Sequence, residues 1–523
     1  MTKLRIEGVL TESERERIHR SAVTLLEKLG FMCNHPGILE AFRQAGCEVG
    51  DEIAKPKGAR VVTFTEEIIS DALNKAPSQF TLYPIAPGYR EIKFGSGEVY
   101  FATTGSNSLW DIETGELRDA VLSDFVTGSR LIDALENFDA NMGYPHYWMY
   151  DVARMDEYEK YGLVGALMNA VPMLHCGKAQ IRVFECSTEQ ELTDNLNLWA
   201  ITAGGKEAFR RKPTGAIMVC FTSPLSLIGR TEPGEPLGWA DWLWGGLNAG
   251  VPFVIKPSGI IGASSPVTVA GSIVQGVAEI LATLVAIQAI IPGHPIVFGD
   301  FTGSLDMITG GKGNCNPEAL LLHLGLDSMA HYYNKPSLWF PGSINAVGVD
   351  SQAAWEHAET YLLASLAGVN MTMSSGGLGQ GMAGDYRQYL VDNEIIGTVK
   401  HIVKGINMNE EAIPLDLMID TGFGASGANF LGSEHTRRLY KTEMWRRSSL
   451  TNTLTWDAWK AQGKKTLWDR AGERARELLK KHKPDIPEGL QEEIRGYLLQ
   501  ALNREGVKGD QAKRIMDKTY WNG

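Results

Sequence analysis

The chain has 523 residues and a formal net charge of −12, a balance that argues against a nucleic-acid partner, because phosphate binding needs clustered positive charge. Six cysteines (Cys33, Cys47, Cys176, Cys186, Cys220, Cys315) lie far apart without a CxxC pair, so reduced thiols in a cytoplasmic protein are expected. The opening run, MTKLRIEGVLTESERERIHR, has no apolar stretch behind its basic residues, and export is not expected.

Thr11 and Glu14 have the spacing of a capping box, and Ile18, Ala22, Leu25 and Leu29 recur at helical intervals until Gly30 offers a stop. Residues 1–98 mix such helices with short strands over 60–64 and 80–82 and read as an N-terminal α/β cap segment. From Val99 the rhythm changes. The apolar runs VYFATTGS, FDANMGYP, MLHCGKAQ, GAIMVCFTSP, PFVIKPSGII, PIVFGDFTGS, SLWFPGSI and VNMTMSSGG alternate with helical patterns, among them 124–135, 267–291, 317–333 and 353–367. Eight strand candidates separated by helices predict parallel βαβ units, which close naturally into an α/β fold of the (β/α)8 TIM-barrel type over 99–426. A doubly wound open sheet is the alternative. The 267–291 run is long enough to invite a membrane assignment, but Gln275, Glu279 and Gln288 favour a buried helix, and no membrane contact is expected. Residues 427–523 are polar and read as a C-terminal helical extension. Its charged run over 469–483 is expected to be solvated, and its tryptophans (Trp445, Trp456, Trp459, Trp468) suit either a homo-oligomer interface or packing on the barrel.

In either sheet topology the ligand site lies just past the strand carboxyl ends. That rule selects Thr104, Ser106, Asn107, Tyr144, His146, Tyr147, Gln180, Thr222, Ser223 and Ser258 from the first five strand ends. Asp300, Phe301, Ser304, Ser343, Asn345, Gln380, Met382 and Asp385 follow from the last three. Among them the usual machinery for making a nucleophile is missing. Neither HExxH nor HxH occurs, and there is no GxSxG elbow or GxxxxGK[ST] loop. His175 beside Cys176, near the third strand, or Asp300 with Asp306, are the residual candidates for a metal. The glycine-rich run 376–381 follows the eighth strand rather than opening the first βαβ unit, so it reads as a tight bend near a ligand rather than a phosphate cradle. The positive signal is aromatic: Tyr100, Phe101, Trp110, Tyr144, Tyr147, Trp148, Phe221, Phe301, Trp339 and Phe340 fall in strand-end segments, and rings of this kind surround quaternary ammonium groups.

Several runs carry a resemblance to a known family. They are SSPVTVAGSIVQGVAEILATLVAIQAIIPGHP (264–295), GSLDMITGG (303–311), PEALLL from Pro317, DSQAAWE (350–356), VDNEIIG (391–397) and FLGSEHT (430–436). In this order along nearly the whole chain they resemble the trimethylamine methyltransferase family of corrinoid-dependent methyltransferases. The resemblance implies a (β/α)8 enzyme that passes a methyl group from a methylated amine to the Co(I) of a separate, cognate corrinoid (cobalamin) protein, with no tightly bound cofactor of its own. The founding members carry pyrrolysine near the segment FPGSINAVGVD, where this chain has Ser343, Ile344, Asn345 and Ala346. Members without it are similar in serving betaine-type substrates. A quaternary amine already bears its positive charge and leaves as a neutral tertiary amine, so no proton need be supplied. The implied substrate is therefore a small quaternary amine, glycine betaine first, displaced in line by Co(I). Phe301, Tyr144 and Phe340 are expected to hold the trimethylammonium group. His146, Gln180, Asn345 and backbone amides of 376–379 are expected to meet the carboxylate. Gln380 stands where the family pattern often has an acid, and a neutral amide there suits a zwitterion. Against this stand a metal-dependent barrel lyase or hydrolase using Asp300, Asp306 and His175, and a betaine-binding protein without turnover.

Overall fold

The computed structural model describes residues 4–6, 8–103, 105–106, 108–142, 164–183, 186–340 and 344–520. Eight parallel strands follow one another in sequence order around a single sheet: β1 (Tyr100–Thr103), β2 (Ala140–Asn141), β3 (Ala179–Arg182), β4 (Gly215–Cys220), β5 (Phe253–Lys256), β6 (Ile296–Phe298), β7 (Leu338–Trp339) and β8 (Met371–Ser375). Met371 lies opposite Tyr100, joining β8 to β1, and a parallel bridge from Phe298 to Ser337 joins β6 to β7. The ring is thus closed, which leaves no exposed sheet edge.

Side-chain alternation explains how the barrel fills. Tyr100, Ala102, Ala140, Ala179, Ile181, Ala216, Met218, Val254, Val297, Leu338, Met371 and Met373 point inward and form one cluster, with alanines on β1 to β4 making room for the larger groups opposite. Ile217, Val219, Phe253 and Ile255 point outward, onto the helices. The hairpin of Phe80–Leu82 and Ile92–Phe94 plugs the amino end, where Leu82, Ile92 and Phe94 meet Tyr100 in the barrel interior.

The helix Val269–Ile290 is apolar enough to cross a membrane by composition alone, yet 83% of its most apolar window is buried in the protein. Its polar residues are internal anchors. Glu279 accepts hydrogen bonds from Ser223 Oγ at 3.0 Å and Leu225 N at 2.9 Å, so it holds the loop after β4, and burial pushes its carboxyl up to about 7. Gln288 spans the following turn by accepting from Gly293 N at 2.8 Å and donating to the His294 carbonyl at 2.9 Å.

The opening helix, Glu12–Lys28, starts with the Thr11–Glu14 capping box and packs on Val269–Ile290. Gly30 ends it at φ +82°, where a Cβ would lie 2.5 Å from the Val62 carbonyl oxygen, so only glycine fits. In the C-terminal extension Leu467–Lys481 packs on Tyr386–Val403, and Glu488–Arg504 covers Val164–His175 and Glu189–Thr202. Trp445 and Trp468 are partly buried, Trp445 tilted onto His401 and Trp468 packed beside the core of that barrel helix, whereas Trp456 is exposed.

Candidate active site

The carboxyl ends of the strands are roofed by two small sheets made from the loops that leave them. Ser108–Trp110 and Leu117–Asp119 after β1 join Gly377–Leu378 and Ala383–Gly384 after β8, while Ile260–Ile261 after β5 joins Gly303–Leu305 and Lys312–Gly313 after β6. Buried acids pin these loops to the helices behind them. Glu356 accepts from Ala346 N at 2.9 Å and Asp392 from Gly376 N at 2.6 Å, whereas Asp306 only closes its own exposed turn, accepting from Ile308 N and Thr309 N at 2.8 and 3.1 Å. Gly376 has φ +83°, and a Cβ there would lie 2.5 Å from the Tyr389 ring. The family-like runs at 303–311, 350–356 and 391–397 therefore shape the barrel mouth rather than line it.

Within the roof stand Phe301 and Phe340, edge to face with centroids 5.0 Å apart. Two lysines lie against them. Lys256, the last residue of β5, points inward by the same alternation as Val254 and is 2% exposed. Its Nζ sits 4.7 Å from the Phe301 centroid and 4.6 Å from that of Phe340, with the Cys220 side chain close by. Gly299, just past the end of β6, makes this possible, since a Cβ there would come within 2.7 Å of Lys256 Cγ and 2.5 Å of Val254 Cγ1. Lys312 reaches in from the loop after β6. Its Nζ lies 4.0 Å from the Phe301 centroid and donates to the Phe301 carbonyl at 3.0 Å. Burial lowers both ammonium pKa values, that of Lys312 to about 8, with Lys256 adding to the depression and Asp300 and Cys220 opposing it.

Asp300 is near but committed. Its Oδ1 accepts from Thr302 N at 2.8 Å and Thr302 Oγ1 at 2.7 Å, and its Oδ2 pairs with His323 Nδ1. Burial pushes its carboxyl up, but His323 and the Thr302 donors outweigh that and hold it below the usual range. Among the described residues no carboxylate lies within ion-pair reach of Lys256 or Lys312.

The expected site residues are distributed unevenly. Tyr144 and His146 lie outside the described residues, as do Thr104, Asn107, Tyr147, Trp148 and Ser343. Phe301 and Phe340 come together, but the lysines occupy the ring faces intended for a trimethylammonium group. Asn345 links two rim loops, accepting from Asn314 N and donating to Asn316 Oδ1, both at 3.0 Å. Gln380 is an exposed residue in the left-handed region, at φ 63°. Gln180 does not join them: Ala179 and Ile181 on either side face the barrel interior, so Gln180 faces the helices, buried with its amide unpartnered. Asp385 caps Tyr386–Val403 and pairs with Arg387.

The supposed metal candidates also separate. His175 ends the helix Val164–His175 ahead of β3, at the opposite end of the barrel, and bonds the Thr519 carbonyl at 2.7 Å. The run MLHCGKAQ reads as a strand in sequence, but its apolar half is helix, and the strand begins at Ala179. No group of three His, Cys, Asp or Glu side chains that could hold a metal occurs among the described residues. The lysines are what sequence reasoning missed. The available signal was alternation along FVIK, which turns Lys256 to the same side as Val254.

A closed (β/α)8 barrel with its aromatic and charged groups gathered at the strand carboxyl ends defines a barrel enzyme with its site at the mouth. A family model described as trimethylamine methyltransferase (MTTB) matches residues 2–504, and the chain belongs to that family. It is 27% identical over 509 residues to trimethylamine methyltransferase MttB of Desulfitobacterium hafniense (strain DSM 10664 / DCB-2), with 96% of each chain covered. It is 26% identical over 502 residues to glycine betaine methyltransferase of Desulfitobacterium hafniense (strain Y51), covering 95% of this chain and 97% of the relative. Among solved structures, monomethylamine methyltransferase (MtmB) of Methanosarcina barkeri aligns over 90% of this chain and 93% of its own, with a TM-score of 0.47 at 12% identity. As a member of the trimethylamine methyltransferase family, the chain is a methyltransferase.

Proposed function

We propose that this methyltransferase removes a methyl group from a small quaternary amine, glycine betaine foremost, and delivers it to the Co(I) of a corrinoid carried by a separate protein. The observation that carries this reading is the state of the acids at the mouth. Asp300, Asp306 and Asp385 are each spent on backbone amides, a histidine or an arginine, which leaves none of them free to shuttle a proton. A quaternary donor needs no such shuttle. The methyl carbon leaves the ammonium nitrogen with the C–N electron pair staying behind, so the product is a neutral tertiary amine, dimethylglycine for glycine betaine. The reduced cobalt supplies the nucleophilic electron pair.

What this chain contributes is placement: the closed barrel walls off water, and the pinned rim loops hold the donor in line with the acceptor. The family relationship, the relative named for glycine betaine and the absence of any non-standard residue at 343–346 support the same reading. Mixing the protein with a reduced corrinoid protein and glycine betaine tests it. The Co(I) absorption band should disappear as dimethylglycine accumulates in equal amount. A band unchanged by any quaternary amine would refute the proposal.

A further inference from the structure

Two ammonium groups at the barrel mouth have only weak compensation for the water they have lost. Lys256 has two phenyl faces and the Cys220 side chain, and Lys312 has one phenyl face and one carbonyl. A cation on an aromatic face recovers only part of what burying an ammonium costs. Lys178, buried near the amino end of β3, shows the structural alternative: the Ile132 and Leu135 carbonyls, at the end of the helix Leu122–Ala134, accept from its Nζ at 2.8 and 2.6 Å. Among the described residues nothing comparable saturates Lys256 or Lys312. The two Nζ atoms lie 4.7 and 4.0 Å from the same Phe301 centroid, and Gly299 gives up its side chain so that Lys256 can lie there.

We infer that Lys256 and Lys312 together form the subsite for the carboxylate of the methyl donor, which is therefore a zwitterion gripped by its anionic end. The inference rests on the methyl-transfer reading of the same mouth and goes beyond it by naming the residues that select the donor. Lys256 lies deep in the wall and Lys312 nearer the rim, so a carboxylate between them receives charge-assisted hydrogen bonds from two sides. The same two charges repel the donor's ammonium. The zwitterion is thereby aligned, carboxylate toward Phe301 and Phe340, trimethylammonium away from them. These phenyl rings support the anion-binding lysines and are not the cage for the quaternary nitrogen. A bare amine cation gains nothing here and meets only repulsion.

Calorimetric titration of the wild type, Lys256→Met and Lys312→Met with glycine betaine and with choline tests the assignment, since choline replaces the carboxylate by a hydroxymethyl group. The wild type should prefer glycine betaine, and each variant should lose about tenfold or more in betaine affinity while binding choline as well as before or better. Unchanged betaine affinity in both variants would overturn the assignment, and so would a wild type that prefers choline. Trimethylamine turnover that exceeds betaine turnover and collapses in Lys312→Met would also overturn it, by making Lys312 a proton donor. Methionine keeps the length of the side chain and removes a buried charge, so both variants should melt no lower than the wild type. Should one fail to fold, Lys312→Gln at the rim gives the same readout. Methyl transfer is scored apart: lysine-dependent betaine binding without transfer to Co(I) sinks the reaction and keeps the subsite, and transfer from betaine indifferent to both lysines does the reverse.

Discussion

Arg90 and Lys400 at the amino end of the barrel share the Asp139 carboxylate, at 3.0 and 3.2 Å, and Arg90 also meets Glu98 at 2.8 Å; Lys256 and Lys312 at the carboxyl end meet phenyl rings instead. At the amino end, where the hairpin plugs the barrel, a buried carboxylate is matched by two cations that are themselves half-exposed or exposed. At the mouth two cations have no carboxylate within ion-pair reach among the described residues. A group held at a cost to the fold, beside the strand ends where such barrels bind ligands, is the mark of a site waiting for its counter-ion.

Substitutions at the two ends should move stability in opposite directions. Asp139→Ala leaves Arg90 with Glu98 alone, takes the carboxylate from Lys400 and removes the buried acceptor of Phe101 N, so chemical denaturation should show a loss of about 2–3 kcal/mol. Gly376→Ala attacks the rim without touching charge: a φ of +83° and a Cβ 2.5 Å from the Tyr389 ring predict a loss of about 2 kcal/mol. Because Asp392 grips the Gly376 amide, the rim loop should shift as well, and methyl transfer should fall further than folding does. Lys256→Met, the mirror of the Asp139 change, should raise stability by about 1 kcal/mol. Equal losses at both ends would erase the distinction.

The architecture was legible because each barrel strand is a short apolar run bounded by glycine or polar residues and followed by a long helical pattern. The helices found at Pro317–Tyr332 and Ser351–Ala367 differ from expectation by no more than a turn's end. The site was less legible, for two physical reasons. Which way a strand residue points depends on alternation: Gln180, chosen for its polar side chain, sits between inward-facing Ala179 and Ile181 and is turned to the helices. Whether a lysine is buried depends on its neighbours across the sheet. Lys256, at the end of FVIK, looks like an ordinary solvated charge until β6 is placed beside β5 and Gly299 is seen to leave space for it. Asn345 and Asp385 were legible as mouth residues by position, but their hydrogen-bonding capacity is taken by Asn314, Asn316 and Arg387, which only the folded loops bring near.

The pH dependence of glycine betaine affinity tests the central claim most directly. Burial holds Lys312 down to about 8 in the free protein, facing Lys256, Asp300 and Cys220. A bound carboxylate favours the charged ammonium and raises that value, so binding takes up a proton once the pH exceeds it. Affinity should be flat below about pH 8 and fall by up to about tenfold per unit above it, and this step should vanish in Lys312→Met while choline shows no such fall in either protein. Betaine affinity that stays level through that range in the wild type, or falls equally in Lys312→Met, would contradict the account.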